Sequence, residues 1–248
     1  AVLIGTSKAA MIDVSKVNGP APFYNASLGG ATPEEVIGLV QHVPSTSPLI
    51  VVALDFFQYG DHSPVQTNPF PPATWQHNFG YLFNLDGLGY AWTTVSGALR
   101  HRPPTLLPDG SFDSGEWRKH YDHPDPAALA RIMDEREAEW RDFQFLPARL
   151  DQLEVLRATL DNRGVPYLVF INPLNAEDLR RIRRAGLGPA LDQWRARVLR
   201  DFPRAVDLSD SPYSNPANFF RLDPVHFYPE VGADLLNRAV LPRAQIHL

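Results

Sequence analysis

The stretch LIVVALDFF, residues 49–57, decides how this chain folds. Apart from Asp55 every side chain in it is apolar, with no alternation between apolar and polar positions. A strand with one wet face alternates, whereas a strand that is apolar throughout is covered on both faces, as in a parallel sheet flanked by helices. Four other short runs share this character and are each followed by turn chemistry: AVLIG (1–5), FYNASL (23–28), VPYLVFINP (165–173) and AVDLSD (205–210).

Helical patterns fill most of the gaps between these runs. In ATPEEVIGLVQHV, Thr32 is placed as N-cap, Pro33 at the first helical position and Glu35 three residues after the cap, a capping box ahead of Val36, Leu39, Val40 and Val43. Residues 126–145 and 147–164 read as two helices split at Pro147, the second closed by Gly164. Two more are expected over 189–202 and 229–240. Strands alternating with helices predict a single α/β domain over 1–248: a five-stranded, mostly parallel sheet with helices on both faces, joined by right-handed crossovers. Residues 58–125 break the alternation. They are dense in Pro, Gly, His and aromatics, and are expected to form a long insertion over the carboxyl edge of the sheet, where such folds bind ligands.

A net charge of -5 argues against nucleic-acid binding, which draws its affinity from basic side chains on phosphates. The chain has no cysteine, so neither a disulfide framework nor a thiolate zinc site is available to it. No apolar run approaches the roughly 20 residues of a membrane span. Residue 1 reads as a buried strand already under way, which creates the expectation that an anchor or signal precedes it in the full-length protein.

Three short blocks carry chemistry. GTSKAAMI (5–12) puts Ser7 at a sharp strand-to-helix turn relieved by Gly5, a setting for a nucleophilic hydroxyl; taken alone it reads sooner as a strand end with a helix cap, and Ser7 needs partners. DPVHF (223–227) places Asp223 three residues before His226 and just ahead of the helix that starts at Pro229, the pairing a catalytic base and its orienting carboxylate need; taken alone it is also an ordinary Asp-Pro turn. NASLGGAT (25–32) is a run of small residues between the second strand and its helix. It brings the N–H of Gly30 beside that of Ser7 for a developing oxyanion, or simply supplies a tight turn with positive φ.

In this order and spacing the three blocks resemble the SGNH (GDSL-like) hydrolases, over roughly residues 1–57 and 165–240. The resemblance implies a flavodoxin-like sheet, a triad of Ser7, His226 and Asp223, oxyanion donors at Ser7 and Gly30, and no metal or dissociable cofactor. There is one departure. The family's third block has an asparagine whose amide donates to the oxyanion, and this chain has Asp55 there, which when ionised only accepts. Asp55 is therefore expected to be protonated, or to turn away and bind substrate hydroxyls with Asn172, or to leave the third donor missing. An aspartate at that place, with a large insertion, is similar to the membrane-anchored SGNH-like proteins of bacterial polysaccharide O-acetylation. That implies a periplasmic or otherwise extracytoplasmic domain, an acylated carbohydrate or polysaccharide as substrate, and a membrane acyltransferase as partner. The alternative is a catalytically weak or inactive polysaccharide-binding or scaffold domain of the same fold.

Other features carry bland readings. His120 and His123 lack a helix to fix them as metal ligands, and Arg180, Arg181, Arg183 and Arg184 read as a solvated surface. Asn172 and Asn175, which follow the fourth strand, could reach the cleft but are expected rather to cap the helix beginning near Glu177. Trp75, Phe79, Tyr81, Phe83, Tyr90 and Trp92 are expected to pack a satellite core or to line a sugar groove. Ser27 is expected inside the second strand, a poor place for a nucleophile.

Overall fold

The computed structural model describes residues 1–61, 106–123 and 125–243. The aromatic residues from Trp75 to Trp92 lie outside them. LIVVALDFF supplies β3 (Ile50–Leu54), buried along its whole length. It pairs in parallel with β1 (Val2–Ile4) on one side and β4 (Tyr167–Ile171) on the other, and β2 (Tyr24–Asn25) and β5 (Val206–Asp207) complete the edges. The sheet is all-parallel in the order β2-β1-β3-β4-β5, the flavodoxin-like arrangement.

Successive β3 side chains enter opposite layers, which explains the unbroken apolar run. Ile50, Val52 and Leu54 join one core with Val36, Val40, Leu153, Leu160, Trp194 and Val198. Val51 and Ala53 join the other with Leu3, Ile12, Phe170, Phe227, Leu235 and Leu236. The helices behind these cores are α1 (Ser7–Ala10), α2 (Pro33–His42), α3 (Ser114–Tyr121), α4 (Pro126–Asp142), α5 (Asp151–Arg163), α6 (Ala176–Arg184), α7 (Gly188–Asp201) and α8 (Pro229–Leu235). Thr32 and Glu35 form the reciprocal capping box that opens α2, with Pro33 inside the first turn. Gly164 ends α5 at φ 64, the left-handed conformation glycine adopts at no steric cost. Among the described residues no helix is long and apolar enough to cross a membrane.

Besides His120, expected outside any helix but carried on α3, the fold departs from the sequence expectations in three places. The second strand ends at Asn25 rather than running to residue 28: the buried Asn25 side chain donates to the carbonyls of Ala9, Ala10 and Ile12 and accepts from Ser27 N, while Ala26 N and Leu28 N still donate to Leu3 O and Gly5 O. Ser27 therefore lies beyond the strand, though buried. Second, Asp223 and His226 do not sit on a turn but on β7 (Asp223–Phe227), paired antiparallel with β6 (Phe219–Phe220). Third, the run of arginines on α6 is only partly a solvated surface: Arg181 is buried against Asp178, which also holds Arg136 of α4.

Candidate active site

In open parallel sheets the carboxyl ends of the strands are where ligands meet the chain, and every block singled out above comes to that end. β1 runs out at Ile4 and turns through Gly5 into α1, which begins with Ser7. The turn is tight because nothing but hydrogen fits at Gly5: a Cβ there would stand 2.7 Å from Ala9 Cβ and 2.9 Å from Ala53 Cβ. Gly30 has a different reason for its identity. Space around it is open, and its φ of 67 is the constraint.

α1 packs directly against β7, so the segment that starts at Ser7 adjoins the strand carrying Asp223 and His226. A second tie runs from Asn175 at the end of β4, whose amide donates to Pro224 O at 3.3 Å while its Oδ1 caps α6. On β7 the His226 Nδ1 lies 2.6 Å from Asp223 Oδ2, and both side chains are about nine-tenths buried. Among the described residues His226 Nε2 is buried with no hydrogen-bond partner. An imidazole held through Nδ1 by a carboxylate presents Nε2 as the nitrogen that exchanges a proton.

Trp117 on α3 contributes a residue that the sequence did not single out. Its Nε1 donates to Asp223 Oδ2 at 2.8 Å, and its ring meets the His226 ring edge-on at 5.5 Å. Burial pushes the Asp223 carboxyl up. Hydrogen bonding to His226, the charge of His226 and the Trp117 donor outweigh it, holding the group below the usual carboxylate range. A depressed folded value means that Asp223 contributes stability fully present above the ordinary carboxylate pKa and lost as pH falls through the folded value. Trp117→Phe removes one of the downward causes, so its acid unfolding, followed by circular dichroism, is expected to begin at higher pH than in the wild type. Superimposable acid limbs would show that the indole does not hold the carboxylate.

Asp55 and Asn172, expected to meet substrate hydroxyls, have internal partners. Asp55 follows β3 and is 3% exposed; Asn172 follows β4 and is 1% exposed. Asp55 Oδ2 accepts from Thr6 Oγ1 and, at 2.9 Å, from Asn172 Nδ2, and Lys8 Nζ lies 2.9 Å from Asp55 Oδ1. Two donors thus share Oδ2, while Oδ1 faces the Lys8 ammonium as an ion pair and accepts no hydrogen bond among the described residues. Thr6, the N-cap of α1, gives its hydroxyl to Asp55 and does not cap the helix with it. Lys8 is the second residue the sequence reading missed.

A cavity of about 680 Å³ lies elsewhere, at the amino edge of the sheet, lined by Pro48, Leu49, Pro166, Tyr167 and Ala205 among others. None of its walls belongs to the constellation around His226, so cavity size does not mark this site. No protein-family model matches the chain. No curated protein sequence matches it either.

Proposed function

We propose that the protein is a serine-dependent acyl-ester hydrolase or O-acyltransferase of SGNH type, acting on an acylated carbohydrate or polysaccharide. The observation that carries this reading is the largely buried Asp223–His226 pair, oriented through Nδ1, on a strand packed against the helix that begins with Ser7; Nε2 is not hydrogen-bonded to Ser7 Oγ and is unpartnered among the described residues. A structural histidine at this depth would be expected to use both ring nitrogens within the protein.

In the proposed reaction, Ser7 Oγ attacks the ester carbonyl carbon while its proton passes to His226 Nε2. Asp223 holds the resulting imidazolium, and the N–H groups of Ser7 and Gly30 receive the oxyanion. Collapse of the tetrahedral species breaks the ester C–O bond, and the departing sugar oxygen takes the proton back from Nε2. The acyl-serine is then discharged by water, or by a sugar hydroxyl, which yields its proton to Nε2 as its oxygen bonds the acyl carbon; the acyl–Oγ bond breaks and Ser7 Oγ takes that proton back. The residues alone carry every proton in this scheme, with no cofactor. A periplasmic location, a membrane anchor upstream and a membrane acyltransferase that supplies acyl groups belong to the same proposal and rest on the resemblance of the three sequence blocks.

The test is intact-mass spectrometry after exposure to a serine-directed phosphonate and, separately, a small acyl ester. Wild type is expected to gain one adduct, mapped to Ser7, and Ser7→Ala none. Equal labelling of the two, or an unlabelled wild type, would refute covalent catalysis at Ser7. The aspartate at position 55 favours a second reading, a polysaccharide-binding domain without chemistry. That reading requires glycan pull-down by both proteins with no acyl group released by either.

A further inference from the structure

The family-like chemistry leaves one feature unaccounted for, a buried ion pair where an oxyanion donor would be expected. We infer that Lys8 and Asp55 form a charge-neutral positioning unit that fixes both oxyanion N–H groups and cancels the repulsion a lone aspartate would exert there. This rests on the acyl-serine reading above and assigns to that site two residues that touch no substrate.

Two independent chains of contacts start at Asp55. The first runs to the nucleophile. Thr6 and Lys8, the two neighbours of Ser7, meet the same carboxylate, Thr6 by a hydrogen bond to Oδ2 and Lys8 by an ion pair with Oδ1. Ser7 is thus bracketed by two anchored residues, and its backbone is tied to the carboxyl end of β3. Lys8 Nζ also reaches Pro173 O at 3.5 Å and Asn172 binds Asp55 Oδ2, so the ends of β1, β3 and β4 are laced through one carboxylate. The second chain runs to the glycine block. Asp55 N donates to Gln58 Oε1 at 2.9 Å, and Gln58 Nε2 donates to the carbonyl of Ala31 at 2.9 Å, beside Gly30. Gln58 is fully buried, so this bridge competes with no water. Ser7 and Gly30 come from segments 23 residues apart (30 − 7), and Asp55 is the point where their supports meet.

Charge is the second part. An uncompensated carboxylate close to a developing oxyanion raises the barrier to its formation, and in a buried setting the field is poorly screened. The ammonium of Lys8, a residue 8% exposed, lies against Asp55 Oδ1 and turns the charge into a short dipole. Lysine is an uncommon buried residue, and burial of both members is stable only as a pair. Sequence position thereby gains a meaning: the cation that cancels Asp55 is the residue directly after the nucleophile.

The sign of the charge makes the inference testable. Phosphonate labelling is followed by mass for wild type, Lys8→Met, Asp55→Asn and the double variant Lys8→Met/Asp55→Asn, each at a temperature where circular dichroism shows it folded. Lys8→Met, which leaves Asp55 unopposed, is expected to lower the limiting labelling rate on the order of 10²-fold with little change in the phosphonate concentration for half-maximal rate. Asp55→Asn, which leaves a cation and an acceptor amide, is expected within about tenfold of wild type. The double variant, neutral again and able to bond Thr6 and Asn172 through its amide, is expected to recover to within about tenfold. A folded Lys8→Met labelled within about threefold of wild type overturns the inference, as does a double variant that is folded and no faster than Lys8→Met. If Lys8→Met does not fold, the double variant against wild type and Asp55→Asn decides: a folded double slowed by about 10²-fold or more overturns the inference. Indifference of labelling to these charges with a normally labelled wild type sinks this inference alone, whereas an unlabelled wild type sinks the acyl-serine reading with it.

Discussion

His226→Ala is expected to slow acylation of Ser7 on the order of 10⁴-fold or more, the scale on which members of a Ser-His-Asp unit act together. The expectation follows from what each ring nitrogen does. Nδ1 is engaged by Asp223 at 2.6 Å, so the imidazole is fixed in orientation, and Nε2, without a hydrogen-bond partner among the described residues, is the atom proposed to receive the proton. A serine hydroxyl without such a base is a weak nucleophile, and no other group described near β7 stands in the same relation to Asp223. Removing the ring also leaves Asp223 with the Trp117 indole and the Val225 N–H as its remaining donors. Some loss of stability is therefore expected, and the rate must be read well below the melting temperature of the variant. Stopped-time labelling with an activated acetyl ester measures it. A rate within about tenfold of wild type would mean that His226 is a structural partner of Asp223 and the base lies elsewhere.

What could be read in the sequence, and what could not, divides along the distance over which a residue finds its partner. The central strands were legible because a strand buried on both faces advertises itself in consecutive residues, as Ile50 to Leu54 do; the edge strands β2 and β5, only partly buried, were legible as short apolar runs followed by turn chemistry. The Thr32–Pro33–Glu35 start of α2 and the Gly164 stop of α5 were legible because their hydrogen bonds close within a turn. The Asp223–His226 pair belongs to the same class, although its spacing was taken for a turn when it is a strand. β7 is short, its partner β6 has two residues, and Asp-Pro is a turn signal in most contexts. Lys8 was overlooked because a lone lysine in a short helix is ordinarily solvated. Its partner Asp55 is 47 positions away (55 − 8), and the pattern around each gives no hint of the other. Trp117 meets Asp223 across 106 positions, from a segment whose Pro- and aromatic-rich composition has no period to follow. Asp55 was noticed only as a departure from the expected asparagine. A resemblance between short blocks identifies the residue out of place, while only the fold shows what it binds.

Trp194→Ala is expected to lower the unfolding free energy by about 3–5 kcal/mol, the range for emptying a large aromatic site in a core. Trp194 on α7 is fully buried, 5.7 Å from the ring of Phe56 and 5.8 Å from that of Tyr59. Phe56 in turn packs on Phe143 at 5.3 Å, Phe145 at 5.6 Å and Trp140 at 6.3 Å. These rings come from α7, the turn after β3 and the end of α4, so the gap left by the indole would have to be closed by three elements moving at once, and little of it would be. For a chain of this length each kcal/mol is worth roughly 2–4 °C, so the melting temperature is expected to fall by roughly 6–20 °C. Leu199→Ala on the same helix, a residue 39% exposed, provides the control and is expected to shift the melt by no more than about 3 °C. The consequence reaches the site because the turn held by this cluster, Phe56–Tyr59, starts at Asp55 and contains Gln58. Loosening it is expected to slow Ser7 labelling at temperatures where Trp194→Ala is still folded, with Leu199→Ala unaffected. A Trp194→Ala protein that melts within about 3 °C of wild type would show that the aromatic cluster does not bear on the fold, and labelling at the wild-type rate would show that the Asp55 turn is held without it.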